Sequence, residues 1–233
     1  MKAKTTQHER TVQMSALVIG AGGAGSFLVP ALCMLIGKDK VVVMDGDNLE
    51  SKNLNRQLFT TSDIGRNKAE ALSEKYGCDF LPEWFAFGAR RYESWDTLIA
   101  VVDNHPARAS VLQACDYHKC MAVIAANERT SSEGYVYFHE WKDTNLDPRT
   151  YYPELLTVTD GDPRSAAIGC TGIAQEESPQ LVSANLNAAA LACHLFMVWT
   201  MEAPKLSEED RQHLPHKLTQ TLSRSESFKA QIK

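Results

Sequence analysis

None of the six cysteines (Cys33, Cys78, Cys115, Cys120, Cys170, Cys193) belongs to a C-x-x-C pair, so their spacing offers neither a disulfide framework nor a paired zinc ribbon. A reducing cytoplasm suits such scattered thiols. A run of basic residues is also lacking, and a net charge of -5 argues against a general nucleic-acid binder, whose phosphate contacts need a positive surface. Residues 1–14 hold Lys2, Lys4, Glu9 and Arg10 and no apolar core of the secretory kind, so export is not expected. The longest apolar stretch, Leu181 to Trp199, is interrupted by Ser183, Asn185, Asn187 and His194. Those groups are costly in lipid but tolerable on a packed helix, so the stretch reads as a buried helix and no membrane partner is expected. No internal repeat is present.

What the chain does have is enough apolar material, 44% of 233 residues, for one domain with a real core. Ala16 to Ile19 is a short apolar run ending in glycines. Ser26 to Ile36 has helical apolar spacing, with Pro30 near its start, and Val41 to Met44 is apolar again, giving strand, helix, strand. The polar stretch Gly46 to Gly65 is long enough to suggest an ordered functional loop, and a helix is expected from Lys68 to Lys75. Further strands are expected at Phe80–Phe87, Leu98–Val102, Met121–Ala126 and Tyr135–His139, with a helix opening on Pro106 and running to Tyr117. The alternation predicts the α/β class: a Rossmann-like, doubly wound mixed sheet, parallel in its N-terminal half and partly antiparallel in its C-terminal half, with helices on both faces. Residues 143–179, rich in Asp, Pro, Gly and Ser, read as a long loop inside a single domain of residues 1–201. Residues 202–233 read as a polar, solvated tail.

Gly20-Ala21-Gly22-Gly23-Ala24-Gly25 fits G-x-G-x-x-G directly after an expected strand and at the start of an expected helix, the context that makes the pattern informative. Such glycines let the backbone approach phosphates, whose charge is favoured by N–H groups at a helix N-terminus. The plain alternative is a tight turn with no ligand. Asp45 follows Gly25 by 20 residues, at the end of the second strand, where a carboxylate can hydrogen-bond ribose hydroxyls. NAD, FAD and ATP are all open at this point. The residues that follow separate them: Asp45-Gly46-Asp47, then Asn53-Leu54-Asn55-Arg56-Gln57, then Asp63-Ile64-Gly65 and Lys68, with Asp103-Asn104 closing the run at 98–102 and Arg108 beyond. A redox Rossmann protein has no need of this set.

The ordered series D-x-D, N-L-x-R-Q, D-I-G-x-x-K and a later D-N resembles the ThiF/MoeB/HesA family, the bacterial relatives of ubiquitin-activating enzymes. The resemblance implies ATP-dependent adenylation of the C-terminal carboxylate of a small ubiquitin-like or sulfur-carrier protein, with ATP and Mg²⁺ as cofactors. It implies that Asp45 holds the ribose, that Arg56 and Lys68 bind phosphates, and that Asp103 serves the adenylation centre and the metal. Gly20, Gly22, Gly23, Gly25, Asp47, Asn53, Gln57 and Asn104 complete the implied nucleotide site. The chemistry accounts for these residue types. A carboxylate attacking the α-phosphorus meets like-charge repulsion and pyrophosphate leaves with several negative charges, so cationic groups must offset both. The stretch from Ser178 to Asn185 and the absence of zinc cysteines look nearest to ThiF proteins of PRTRC-type gene clusters, which by that resemblance also encode small ubiquitin-like proteins.

Three features depart from the family pattern. The N-terminal R-Y-x-R-Q element, which lends an arginine to a neighbouring subunit, has no match beyond Arg10, so the homodimer usual in the family is less secure. The two C-x-x-C zinc pairs are absent, and Cys115, His118 and Cys120 read as a chance cluster. Cys170, in Gly169-Cys170-Thr171-Gly172, resembles a crossover-loop cysteine that takes the activated acyl group as a thioester or joins a persulfide pathway. A plain loop cysteine is the equal alternative. Two other readings stay in view: a tRNA-modifying dehydratase of the same superfamily, disfavoured by the acidic balance, and a non-catalytic ATP-binding scaffold for a ubiquitin-like partner.

Overall fold

A computed structural model describes residues 14–87, 95–127, 131–156 and 182–221. The runs most free of polar side chains become strands covered on both faces: β1 (Ala16–Ile19), β2 (Val41–Met44) and, after the short edge strand β3 (Asp79–Leu81), β4 (Thr97–Ala100). With β5 (Met121–Asn127), β6 (Ser131–Phe138) and β7 (Lys217–Thr221) they make one seven-stranded sheet in the order β3-β2-β1-β4-β5-β6-β7. The first five strands run parallel, whereas β6 is antiparallel to β5 and β7 antiparallel to β6. Residues 128–130 are too few to cross over the sheet and bring β6 back parallel to β5, so an antiparallel return is dictated. The mixed sheet expected from the sequence is the one observed.

The alternation of side chains along each strand feeds two cores. Ala16 and Val18 point to one face, where α1 (Gly23–Ile36), α2 (Lys68–Tyr76) and α4 (Val182–Met197) pack through Leu28, Leu32, Leu72, Ala188, Ala192 and Phe196. Leu17 and Ile19 point to the other, covered by α3 (His105–His118) through Val111, Leu112 and Cys115. By length and composition the helical stretch Val182–Lys205 is apolar enough to cross a membrane. Here the buried residues Ala184, Ala188, Ala189 and Ala192 seat α4 on the sheet and α1, while Val182, Leu186 and Met197 are left exposed. Small side chains permit that close approach.

Two expectations need correction. The strand expected at Phe80–Phe87 ends at Leu81, because Pro82 has no N–H to give to the ladder. The segment read as a solvated tail from Glu202 supplies a short helix, α5 (Glu208–Arg211), and then β7. The Lys217–Thr221 strand pairs with Tyr135 through Ser131 by backbone bonds that need no apolar side chain, and Lys217 lies 3.0 Å from Glu133.

Asp116, at the end of α3, is held among Arg149 (2.8 Å), the Tyr137 hydroxyl and Lys142 (3.6 Å), and Arg149 also grips Asp147 at 2.9 Å. Burial alone would raise the Asp116 pKa, but the hydrogen bonds from Arg149 and Tyr137 hold it below the usual carboxylate value. A depressed folded pKa stabilises above the unfolded value and is lost as pH falls through the folded one. Arg149→Met is therefore expected to cost about 3–5 kcal/mol, read as a fall in melting temperature of roughly 10 °C. Asp116→Asn should flatten the acid-side decline in melting temperature.

Candidate active site

The parallel strands β2, β1 and β4 end on one edge of the sheet, and the strand order reverses between β1 and β4, which opens a crevice there. Backbone bonds align the three ends: Gly20 N–H donates to Met44 O at 2.9 Å, Asp45 N–H to Leu81 O at 3.2 Å and Val101 N–H to Ile19 O at 2.9 Å. Gly20 takes φ +101, and a Cβ there would lie 2.9 Å from Val101 O. A Cβ on Gly25 would overlap the Gly20 carbonyl, and one on Gly23 would overlap the Asn185 amide. Gly22 differs: its nearest neighbour would be Gln57 Nε2 at an ordinary 3.8 Å. Gly20 and Gly25 are thus required by the backbone packing of the turn and Gly23 by the Asn185 side chain from α4, while Gly22 faces room.

Asp45 ties this turn to the second strand. Its Oδ2 accepts from Ala21 N–H at 2.7 Å and its Oδ1 from Asp47 N–H at 2.8 Å. Burial pushes the carboxyl pKa up, opposed chiefly by the nearby Lys68 ammonium. Each carboxylate oxygen keeps a further lone pair with which to accept from a ribose hydroxyl. Lys68, the first residue of α2, is buried and places Nζ 2.8 Å from the half-exposed Asp47 carboxylate. Asn67 caps α2 by accepting from Ala69 and Glu70 N–H, and its Nδ2 donates to the carbonyls of Asp45 (2.8 Å) and Asp47 (3.1 Å).

The stretch between them is the ordered loop expected. Leu49 N–H donates to Arg66 O and Gly65 N–H to Leu49 O, both at 2.8 Å, which zips its two ends together. Asn53 is buried and its Oδ1 accepts from Glu50 N–H at 2.9 Å, so here it shapes the turn Ser51–Asn53. Arg56 folds its guanidinium along the loop, Nη1 donating to Lys52 O at 2.7 Å and to Asn55 Oδ1 at 3.1 Å. Leu58 N–H donates to Ser26 Oγ at 3.0 Å, bringing the loop against the first turn of α1. Beside Gly22, Gln57 Oε1 is buried with no hydrogen-bond partner among the described residues, the kind of acceptor that a bound ligand or water satisfies.

Across the crevice, Asp103 is exposed just beyond β4. Arg108, buried, donates from Nε (3.2 Å) and Nη2 (2.7 Å) to Val102 O and so fixes the backbone one residue before it. Asn104 caps α3 through Ala107 N–H at 2.8 Å. No group of three or more metal-ligating side chains gathers among the described residues. The exposed Asp103 carboxylate is a hard oxygen ligand of the kind Mg²⁺ takes when waters and other oxygens fill its remaining positions. Cys115 is buried, its thiol directed at the carbonyls of Cys120 and Tyr137. Cys170 and most of the 143–179 loop lie outside the described residues.

Three residues at this edge escaped sequence reasoning. Asn67 carries a usable signal, an Asn directly before a helix. Trp84 was hidden in an apolar run that looked like strand, yet its indole lies against Gly46, where a Cβ would come within 2.5 Å of the ring. Asn185 looked like a stray polar residue on an apolar helix, and its partners are remote in sequence.

The ThiF family model matches residues 2–77. Over 120 residues the chain is 32% identical to the SUMO-activating enzyme subunit uba-2 of Caenorhabditis elegans, covering 47% of this chain and 20% of that protein. Over 75 residues it is 43% identical to a probable molybdopterin-synthase adenylyltransferase of Porphyra purpurea, covering 31% of this chain and 19% of the relative. The chain therefore spans about a fifth of the length of these two relatives. The crystal structure of PaaA superposes with a TM-score of 0.66 at 17% identity, covering 94% of this chain and 64% of that one. That likeness speaks for the fold.

Proposed function

We propose that this ThiF relative binds ATP in the crevice between β1 and β4 and uses it to adenylate the C-terminal carboxylate of a small ubiquitin-like or sulfur-carrier protein. The observation that carries the reading is Asp45, whose two oxygens join the glycine turn to the D-x-D segment while Lys68 stands beside it. A dinucleotide turn alone would not place a buried lysine there. The two named relatives are a SUMO-activating enzyme subunit and a probable molybdopterin-synthase adenylyltransferase, which supports the same chemistry.

In the reaction a carboxylate oxygen forms a bond to the α-phosphorus, the bond to the bridging oxygen breaks, and pyrophosphate leaves with that electron pair. Asp103 would hold Mg²⁺, which would supply positive charge to offset that of the phosphates. Arg56 swings from the loop carbonyl toward the phosphates, and Lys68 exchanges Asp47 for them. Both cations then face the charge that develops on the departing group. In a second step the Cys170 thiolate attacks the acyl carbon, AMP leaves, and a thioester forms. The homodimer would cover the exposed Val182, Leu186 and Met197 of α4, and the cytoplasm is the compartment we assign.

ATP–pyrophosphate exchange in the presence of candidate ubiquitin-like proteins tests the reading. Exchange should be carrier-dependent and fall by about 10²–10³-fold in Asp103→Ala and in Arg56→Ala. Tight ATP binding with no exchange for any carrier would replace the enzyme with a scaffold. Cys170→Ala should keep exchange and lose a thiol-sensitive adduct on gels, and an adduct that persists would remove Cys170 from the scheme.

A further inference from the structure

We infer that Asn185 is a positioning residue, which fixes the backbone of Arg56 and the glycine turn against each other and so sets ATP affinity. This rests on the adenylation reading above. Asn185 is fully buried on the face of α4 otherwise given to Ala184, Ala188, Ala189 and Ala192. An amide in that setting must be hydrogen-bonded or it costs stability. Both ends of this one are engaged: Nδ2 donates to Arg56 O at 3.0 Å, and Oδ1 accepts from Asn127 Nδ2 at the end of β5. Its flat face presses on Gly23, at the start of α1, leaving no space there for a Cβ.

One side chain thus meets three segments remote from it in sequence: the N-L-x-R-Q loop, the glycine turn and the last residue of β5. The partners are 129 and 58 residues away along the chain. The bond to Arg56 is made to its backbone only, while the guanidinium rests on Lys52 O and Asn55 within its own loop. Asn185 therefore holds the base of the arginine and leaves its head able to move. A helix interior needs no amide for packing alone, since alanine serves at every neighbouring buried position of this face except Leu195 and Phe196 further along. The amide is explained by what it spans.

The test is a double-mutant cycle on the full chain. Asn185→Asp keeps the shape but puts an oxygen where Nδ2 donates to Arg56 O. Calorimetry with a non-hydrolysable ATP analogue should show binding weakened by roughly ten- to a hundredfold, and the KM for ATP should rise more than kcat falls. In an Arg56→Ala background the same change should cost less than about twofold, because coupled residues are not additive. Equal losses in both backgrounds, or kcat and KM for ATP impaired alike alongside a lowered melting temperature, would make Asn185 merely structural and overturn the inference. If Asn185→Asp does not fold, Asn127→Ala, which removes the other partner, is read through the same cycle with the same criteria. Arg56→Ala weak for ATP with Asn185→Asp unaffected overturns this inference alone. Arg56→Ala binding the analogue as tightly as wild type overturns the site reading and this inference with it.

Discussion

Gly25→Ala is expected to abolish nucleotide binding and to lower the melting temperature sharply, since its Cβ would occupy the place of the Gly20 carbonyl oxygen and also come within 3.4 Å of Val101 Cγ2. Neither neighbour is the end of a flexible side chain. Gly20 O is backbone, fixed through Gly20 N–H on Met44 O, so relief requires α1 to move off the sheet that Leu28 and Leu32 cover. Overpacking of this kind costs about 1–3 kcal/mol where side chains can adjust, and a backbone clash should exceed that. Gly22→Ala is the informative contrast, because its Cβ would meet nothing closer than Gln57 Nε2 at 3.8 Å. It should melt much nearer the wild type yet bind ATP at least about tenfold more weakly, the loss expected when a methyl group intrudes where phosphates approach the backbone. Paired thermal melts and analogue titrations decide the matter. Full ATP affinity in Gly22→Ala would show that phosphates do not lie on this turn.

Lys68→Met carries the second large effect. The ammonium is buried, lies 2.8 Å from Asp47 and is the chief influence opposing the burial-driven rise of the Asp45 pKa. Methionine fills similar volume with no charge. Carrier-dependent exchange should fall by about 10²–10³-fold, the usual cost of removing one preorganised group that stabilises developing negative charge, and an activity within a few fold of wild type would remove Lys68 from the reacting set. The pH dependence gives a second readout. Asp45 already has a folded pKa above its unfolded value, so its contribution is fully present below the unfolded pKa of about 3.9 and lost as pH rises through the raised folded value. Without Lys68 that folded value climbs further. The melting temperature of Lys68→Met should therefore fall more steeply than the wild type's as pH rises from about 4 toward neutrality.

The parts of the molecule legible in the sequence are those whose reasons are local. Ala16–Ile19 followed by glycines, the helix that opens on them and Val41–Met44 ending at Asp45 all announce themselves by period and spacing, and the structure keeps their order and their common edge. Pro106 marks the start of α3 for the same reason. Residues whose reasons lie elsewhere in the chain were opaque. K-L-T-Q-T at 217–221 has no apolar face to read, because its place depends on the backbone of β6 offering unpaired groups. Trp84 sits in W-F-A-F, apolar enough to pass for a strand, and only the fold brings its ring over Gly46. Asn53 and Asn104 matched a family pattern, yet in this state each spends its side-chain oxygen on backbone N–H groups of its own segment.

The position of β7 has a consequence for synthesis. When a ribosome has made the chain through α4, every described strand but one is available, and the outer edge of β6, from Ser131 to Tyr135, still waits for residues that come more than eighty positions later. Until Lys217–Thr221 emerges, the nascent sheet carries an open rim of backbone donors and acceptors, the arrangement that recruits strands from other chains. The last described strand of this chain therefore replaces the eight-residue edge of β6 with a shorter, polar edge of its own, opened by a lysine, the kind of edge that discourages pairing with other chains.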